Sequence, residues 1–291
     1  MGLAGWPIAV AVLWVLAPGF AVAADLPAAQ PAPAPTAAAA YTPTAPDWTV
    51  TIGAEVRMIP AWPGAPDNKY GFTGLPLVSV RKAGTPPDFF GARDSFGVSV
   101  LDLGQVKLGP AARLVSQRRA SDYRQLNGLG NVDYAIQAGG YAEFWPVPWL
   151  RLRGEVRQGI GGETGVTGDL FLDGVVPFGP LRWSGGPRLT LQSAAAVDPY
   201  FSITAAQSAA STVAGLPKLP VYAAGSGLYS YGAGTQLEYF IGQQWGAHVF
   251  TEYERLTGGA ADSPLVTQRG SPNQFTFGLG ATYSFNMHPL W

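Results

Sequence analysis

The sequence predicts an all-β fold: an antiparallel transmembrane β-barrel of about twelve strands, with ten as the alternative. Three observations predict it. Oily and wet residues alternate with period two over runs of roughly ten to fourteen residues, aromatic residues sit at the ends of those runs, and the wet positions hold glycine, hydroxyls and charge. Period two marks a strand with two unlike faces. Strands of soluble sheets cluster near ~5–6 residues, whereas a tilted strand needs about 9–11 to cross a bilayer.

Composition agrees. The 291 residues include 38 glycines, 26 prolines and 12% aromatics, which suits many strands joined by turns. Net charge is −1 and only 13% of residues are charged, so there is no basic footprint of a nucleic-acid binder. Cysteine is absent, which removes disulfides, thiolate metal sites and cysteine nucleophiles together.

The chain opens with an apolar run, Gly2 to Ala24, that reads as a signal peptide over 1–24. A spanning helix is the rival, but Pro7 and Pro18 break the run and Ala21-Val22-Ala23-Ala24 offers a cleavage site near Ala23 or Ala24. No Lys or Arg precedes the apolar stretch. Residues 25–46, with Pro31-Ala32-Pro33-Ala34-Pro35, read as a disordered Pro/Ala linker in the periplasm, a spacer or a tether that reaches a partner. The barrel is expected over 47–285, with a tail over 286–291.

Strand signals begin at Trp48. Trp48, Val50, Ile52, Ala54, Val56 and Met58 alternate with Thr49, Thr51, Gly53, Glu55 and Arg57. Val132, Tyr134, Ile136, Ala138, Ala142 and Phe144 alternate with Asp133, Gln137 and Glu143, and Tyr229, Tyr231, Ala233, Leu237 and Tyr239 with Ser230, Gly232, Gly234, Gln236 and Glu238. The cleanest strand sets Phe275, Phe277, Leu279, Ala281, Tyr283 and Phe285 against Gln274, Thr276, Gly278, Gly280, Thr282 and Ser284. Strands are expected near 48–58, 73–82, 95–103, 105–117, 131–144, 149–160, 164–176, 180–192, 198–207, 226–240, 244–256 and 273–285. The longer connections, 59–72, 208–225 and 257–272, then fall on the outer side, where such barrels keep their long loops. Trp48, Phe144, Trp145, Trp149, Tyr239, Trp245 and Phe285 suit the interfacial girdles.

On the strand near 149–160, Leu150, Leu152 and Val156 alternate with Arg151, Arg153, Glu155 and Arg157. An arginine facing lipid at mid-membrane costs about 2–4 kcal/mol, so this parity must face inward. The charge ladder reads either as a cation-lined constriction for anionic solutes or as an internal salt-bridge network with Asp133, Glu143, Asp169 or Asp173. The second reading is preferred, because a small barrel filled by such side chains conducts poorly. His248 shares the wet parity of its strand with Glu252 and Glu254, a polar lumen group that could also be read as a general base. No serine is marked beside it, so no catalytic residue is assigned. His248 and His288 make no zinc site by spacing, and neither a metal nor a cofactor is expected. Gly128-Leu129-Gly130 and Gly161-Gly162 read as turns, and so does Asp262-Ser263-Pro264.

Near the C-terminus, Arg255-Leu256-Thr257-Gly258-Gly259-Ala260-Ala261-Asp262-Ser263-Pro264-Leu265-Val266 resembles the loop signature of the MipA/OmpV family, and Thr282-Tyr283-Ser284-Phe285 its terminal strand. Pro60-Ala61-Trp62-Pro63-Gly64, Arg118-Arg119 with Asp122 and Leu126, Tyr200-Phe201-Ser202-Ile203-Thr204, and Ser226-Gly227-Leu228 before Tyr231 are similar to family segments in order, over about 48–285. The sequence departs from the family at Gly259, where an acid is usual, at Trp62, where tyrosine is usual, and in the extension Asn286 to Trp291. Either Phe285 or Trp291 is then the aromatic that the barrel-insertion machinery reads. The resemblance implies an outer-membrane barrel, in contact with lipid and without enzymatic activity. It also implies a scaffold or anchor for murein hydrolases or synthases in cell-wall remodelling. The alternative is a narrow channel for small anionic solutes.

Overall fold

A computed structural model describes residues 48–83 and 89–288. The expected signal peptide and linker, and Trp291, lie outside the described residues. Twelve strands form one sheet: β1 (Trp48–Pro60), β2 (Tyr70–Lys82), β3 (Phe96–Gly97), β4 (Leu101–Asp102), β5 (Val106–Val115), β6 (Ala135–Val147), β7 (Leu150–Gly161), β8 (Val166–Phe178), β9 (Leu181–Gln192), β10 (Gly227–Ile241), β11 (Trp245–Leu256) and β12 (Asn273–Met287). Every pair is antiparallel, and the first and last strands meet in a ladder from Trp48↔Met287 to Met58↔Phe277. No helix among the described residues is long and apolar enough to cross a membrane; the strands cross it.

The alternation does what it promised. Ile52, Val56, Leu152, Val156, Leu170, Val249 and Leu279 point outward and are exposed, while Glu55, Arg151, Arg153, Glu155, Arg157 and Asp169 point inward and are buried. Outward aromatics form two belts, with Phe144, Trp149, Phe178, Tyr239, Trp245 and Phe285 toward the end that carries the termini and Phe72, Tyr134, Tyr231 and Phe277 toward the other. The turns at the terminus end are short (148–149, 179–180, 242–244), and the long connections 61–69, 116–134, 193–226 and 257–272 gather at the far end. Short turns identify the terminus end as periplasmic.

The strand count of twelve holds, with two reassignments. The stretch expected as a strand at 198–207 is instead α1 (Ala194–Phe201) and α2 (Ala205–Ala210). Its oily residues Val197, Tyr200 and Phe201 are spaced for one face of a helix, and Thr204 with Gln207 makes a capping box that starts α2. The stretch expected at 95–103 pairs with β5 only at Phe96–Gly97 and Leu101–Asp102. At the other end of the chain, β12 runs past Phe285 to Met287. Tyr229 leaves the lipid parity because the β9–β10 register shifts between Leu228 and Ser230; this bulge turns Tyr229 inward, its ring 6.0 Å from Phe201.

The far-end connections fold into a cap with the apolar core of the molecule. Val132, Val197, Tyr200, Phe201, Leu256 and Val266 form one cluster, and Trp62, Leu126, Leu129, Ile203, Leu219 and Leu265 another. Two further short helices, α3 (Gly258–Ala261) and α4 (Pro264–Arg269), belong to this cap. Gly128 adopts φ +85° there, and a Cβ on it would lie 2.4 Å from the Ala210 carbonyl oxygen, so only glycine fits the turn.

The topology has one irregularity that shapes the interior. In the hydrogen-bonded order β2 and β3 stand at the two ends, and strand direction alternates along it. Because β3 and β4 pair successively with β5, they share one wall position, and the number of positions is odd. Both β2 and β3–β4 therefore run toward the periplasmic end. Of the connection between them, residues 89–95 lie inside the barrel.

Candidate functional site

Residues 89–95, Phe-Phe-Gly-Ala-Arg-Asp-Ser, form this internal strap. Its backbone accepts hydrogen bonds from the wall: Arg57 of β1 donates to the Ala92 carbonyl at 2.8 Å, Gln236 of β10 to the Phe90 carbonyl at 3.1 Å, and Arg113 of β5 to the Arg93 carbonyl. Its side chains pair with the other strands. Arg93 Nη1 lies 2.6 Å from Glu254 on β11, and Arg93 Nη2 donates to Thr190 of β9 at 3.1 Å and lies 3.5 Å from Asp169 of β8. Asp94 receives Arg151 of β7 at 2.5 Å, and Ser95 donates from its hydroxyl (2.6 Å) and its amide (3.1 Å) to Glu155. Phe89 sits edge-on to Trp145 and under the Arg151 guanidinium, 4.9 Å from the ring centre.

The charge ladder of β7 is the wall side of this network. Arg151 and Arg157 are 0% exposed. Arg151 donates to Glu143 and Asp173 at 2.9 Å each besides Asp94. Arg153 donates to Glu155 at 2.7 Å and Glu143 at 3.3 Å and lies 3.8 Å over the Tyr141 ring. Arg157 donates to Glu155 and Asp169, and to Gln137 at 3.0 Å. Such charges are tolerated because nearly every one is paired and hydrogen bonded. Of the expected carboxylate partners, Glu143, Asp169 and Asp173 take part; Asp133 does not, because it lies exposed on the loop side of β6.

His248, Glu252 and Glu254 all face inward, but the structure does not bring them together. His248 Nε2 lies 2.6 Å from Glu55 on β1, reached across the width of β12, whereas Glu252 and Glu254 face Arg93. His248 and Glu252 stand four residues apart on β11, roughly 13 Å along an extended strand, and each pairs with the nearest opposite charge instead. Among the described residues no serine or threonine hydroxyl is hydrogen bonded to the His248 ring, and no group of three or more His, Asp or Glu side chains is placed to hold a metal. Ser263 is spoken for: its hydroxyl donates to the Phe201 carbonyl at 2.7 Å and caps α4.

Sequence reasoning missed the strap and the arginines that hold the cap. Arg118 donates to the carbonyls of Tyr200 (2.7 Å) and Pro199 (3.1 Å) at the end of α1; burial lowers its pKa to about 10, which leaves it charged at neutral pH. Arg269 donates to the carbonyls of Pro217 (3.0 Å), Gln125 (3.0 Å) and Ser211 (2.6 Å), gathering three loop segments, and burial lowers its pKa as well. Glu163, in the tight turn after β7, lies beneath the cap against Gln137, and burial raises its pKa.

No curated protein matches the sequence. Among solved structures, an outer membrane channel from Pseudomonas putida F1 is 9% identical with a TM-score of 0.41, covering 86% of this chain and 100% of its own. OmpT of Vibrio cholerae is 9% identical with a TM-score of 0.33 (82% and 97% covered), and the outer membrane protein OprG of Pseudomonas aeruginosa 11% identical with a TM-score of 0.24 (83% and 97%). The family model described as MltA-interacting protein MipA matches residues 52–285, almost the whole described wall and cap. The chain belongs to that family and is an outer-membrane β-barrel.

Proposed function

We propose that the protein is a non-enzymatic scaffold or anchor that holds cell-wall-remodelling enzymes at the inner face of the outer membrane. The observation that carries this reading is the state of the lumen: the strap is bonded to β1, β5, β7, β8, β9, β10 and β11, and the folded cap lies over the outer mouth. A barrel so filled offers its surroundings surfaces rather than a passage. The family is described by the interaction of its namesake with MltA, which supports a protein partner. Contact would come from the periplasmic side, where the Pro/Ala segment 25–46 leads into β1.

The test is purification of the native barrel in mild detergent with murein hydrolases and synthases assayed in the eluate. A co-eluting murein enzyme, lost on deletion of residues 25–46 or on exchange of the periplasmic turns, is expected. Its absence from cross-linked membranes as well would refute the scaffold. The alternative, a narrow channel for small anions, is favoured by the arginines of the lumen. It requires stable anion-selective steps in planar bilayers that disappear in Arg153→Ala; the scaffold reading expects a silent bilayer.

A further inference from the structure

Between the strap and strands β9, β10 and β11 lies a cavity of about 10 Å³, lined among others by Arg93, Arg188, Gly234, Gln236 and Glu252. That volume is about the room the centre of one water molecule requires. Arg93, Arg188, Gln236 and Glu252 of this lining each carry a buried atom that makes no hydrogen bond: Arg93 Nη1, Arg188 Nε, Gln236 Oε1 and Glu252 Oε1. Two are donors and two are acceptors. Glu252 Oε1 lies 3.6 Å from Arg93 Nε and 3.7 Å from Arg188 Nε, too far for direct hydrogen bonds. Arg93 Nη1 is 2.6 Å from Glu254 Oε1 but not aligned to donate to it.

We infer that this cavity is a binding site for one water molecule that joins the strap to the wall. The water donates to Glu252 Oε1 and Gln236 Oε1 and accepts from Arg188 Nε and Arg93 Nη1, which uses all four of its bonding directions. The mixed lining selects this ligand. A bare anion would meet the carboxylate of Glu252, a bare cation would meet two guanidiniums, and either would leave half of the four atoms unpaired. Burying such groups dry is costly, while a water with two to four polar partners removes the cost. Contacts stretched past 3.5 Å between charged groups are the usual signature of a bridge of this kind.

Gly234→Ala tests it. A Cβ at this position would lie 3.5 Å from Arg188 Nη2 and Glu252 Cγ and 3.6 Å from Glu252 Oε1, ordinary contact distances, so the methyl takes up the space without displacing the wall. The effect is read as the urea midpoint of the full chain folded into phosphatidylcholine vesicles, beside Gly168→Ala. The latter puts a methyl on the outward face, 3.8 Å from the nearest heavy atom, and has the same effect on backbone entropy. With a bound water, Gly234→Ala expels it and the midpoint falls below that of Gly168→Ala. With a dry cavity the methyl fills a void and the midpoint rises at least as far as in Gly168→Ala, which overturns the proposal. Should Gly234→Ala fail to fold, a high-resolution crystal structure of the unaltered chain decides. A single density peak within hydrogen-bonding distance of the four atoms is expected, and featureless density there overturns the inference.

Discussion

Arg151→Ala removes a side chain that ties three carboxylates of the lumen network together. Arg151 is fully buried and forms three charge-assisted hydrogen bonds, to Glu143, Asp173 and Asp94. Hydrogen bonds to charged groups contribute about 1.5–3 kcal/mol each, but the three do not add, because each carboxylate keeps a second partner. Glu143 retains Arg153 and the Trp145 indole, Asp173 retains Arg188 at 2.6 Å, and Asp94 retains the Gly91 amide at 2.9 Å. The expected loss is therefore that of one broken buried pair, about 3–5 kcal/mol. It is read by tryptophan fluorescence during urea unfolding in lipid vesicles, with migration on unboiled gels confirming that the barrel still forms. Lysine should not rescue, since its compact ammonium does not reproduce the planar, spread donors of the guanidinium. The cycle with Asp94→Ala should show coupling of at least about 1 kcal/mol, as contacting residues do. A loss below about 1 kcal/mol, or strictly additive single and double variants, would refute the account of the strap as pinned to β7.

The cap gives a second expectation: Arg269→Ala strips three loop carbonyls of their donor and costs about 1.5–3 kcal/mol for each carbonyl that water does not reach. Limited proteolysis should then cut within 116–134 and 193–226 while the gel shift of the barrel persists; unchanged protection would contradict it. Glu163 supplies a pH dependence. Burial raises its folded pKa above the unfolded value, so its stabilising contribution is present at acid pH and is lost as pH rises through the folded value. The groups facing it are Gln137, Tyr200, Arg157 and Arg113. The stability of the unaltered chain relative to Glu163→Gln should thus fall with rising pH above the ordinary carboxylate range, and a flat difference would count against burial as the cause. Finally, Val56→Arg puts a guanidinium on the outward face at a position 51% exposed and should cost about 2–4 kcal/mol in vesicles. No measurable cost would mean that this face does not meet hydrocarbon.

The wall was legible in the sequence because its signal is local. From 151 to 157 in β7 every second residue is charged, and a bilayer admits that parity on one side only, so the inward direction of Arg151, Arg153, Glu155 and Arg157 follows from the sequence. Of the four candidate partners Glu143, Asp169 and Asp173 stand on the adjacent strands that supply the counter-charge, whereas Asp133 lies exposed before β6 begins. The strap was not legible by periodicity, because Phe89-Phe90-Gly91-Ala92-Arg93-Asp94-Ser95 has no repeat and its partners are scattered over strands far apart in sequence. One signal was present: the connection after β2 is long on a side where the other turns are short. Residues 198–207 misled in the opposite way, since Tyr200, Phe201 and Ile203 suit a strand until Val197 and the Thr204–Gln207 cap are weighed with them. The His248–Glu55 pair was beyond reach, because its members stand on strands that never neighbour each other.

An odd number of wall positions has a mechanical consequence. Sheet edges that point the same way cannot zip in the antiparallel ladder that joins all the others, and Pro76 within β2 removes a donor from a strand that pairs on only one flank. The two edges are then tied through a hub with radiating spokes: Arg93 and Asp94 tether the strap to the arc β7, β8, β9 and β11, and its carbonyls tether it to β1, β5 and β10. Girth is set from within, so shortening or neutralising a spoke should change the circumference of this barrel before it changes any single strand.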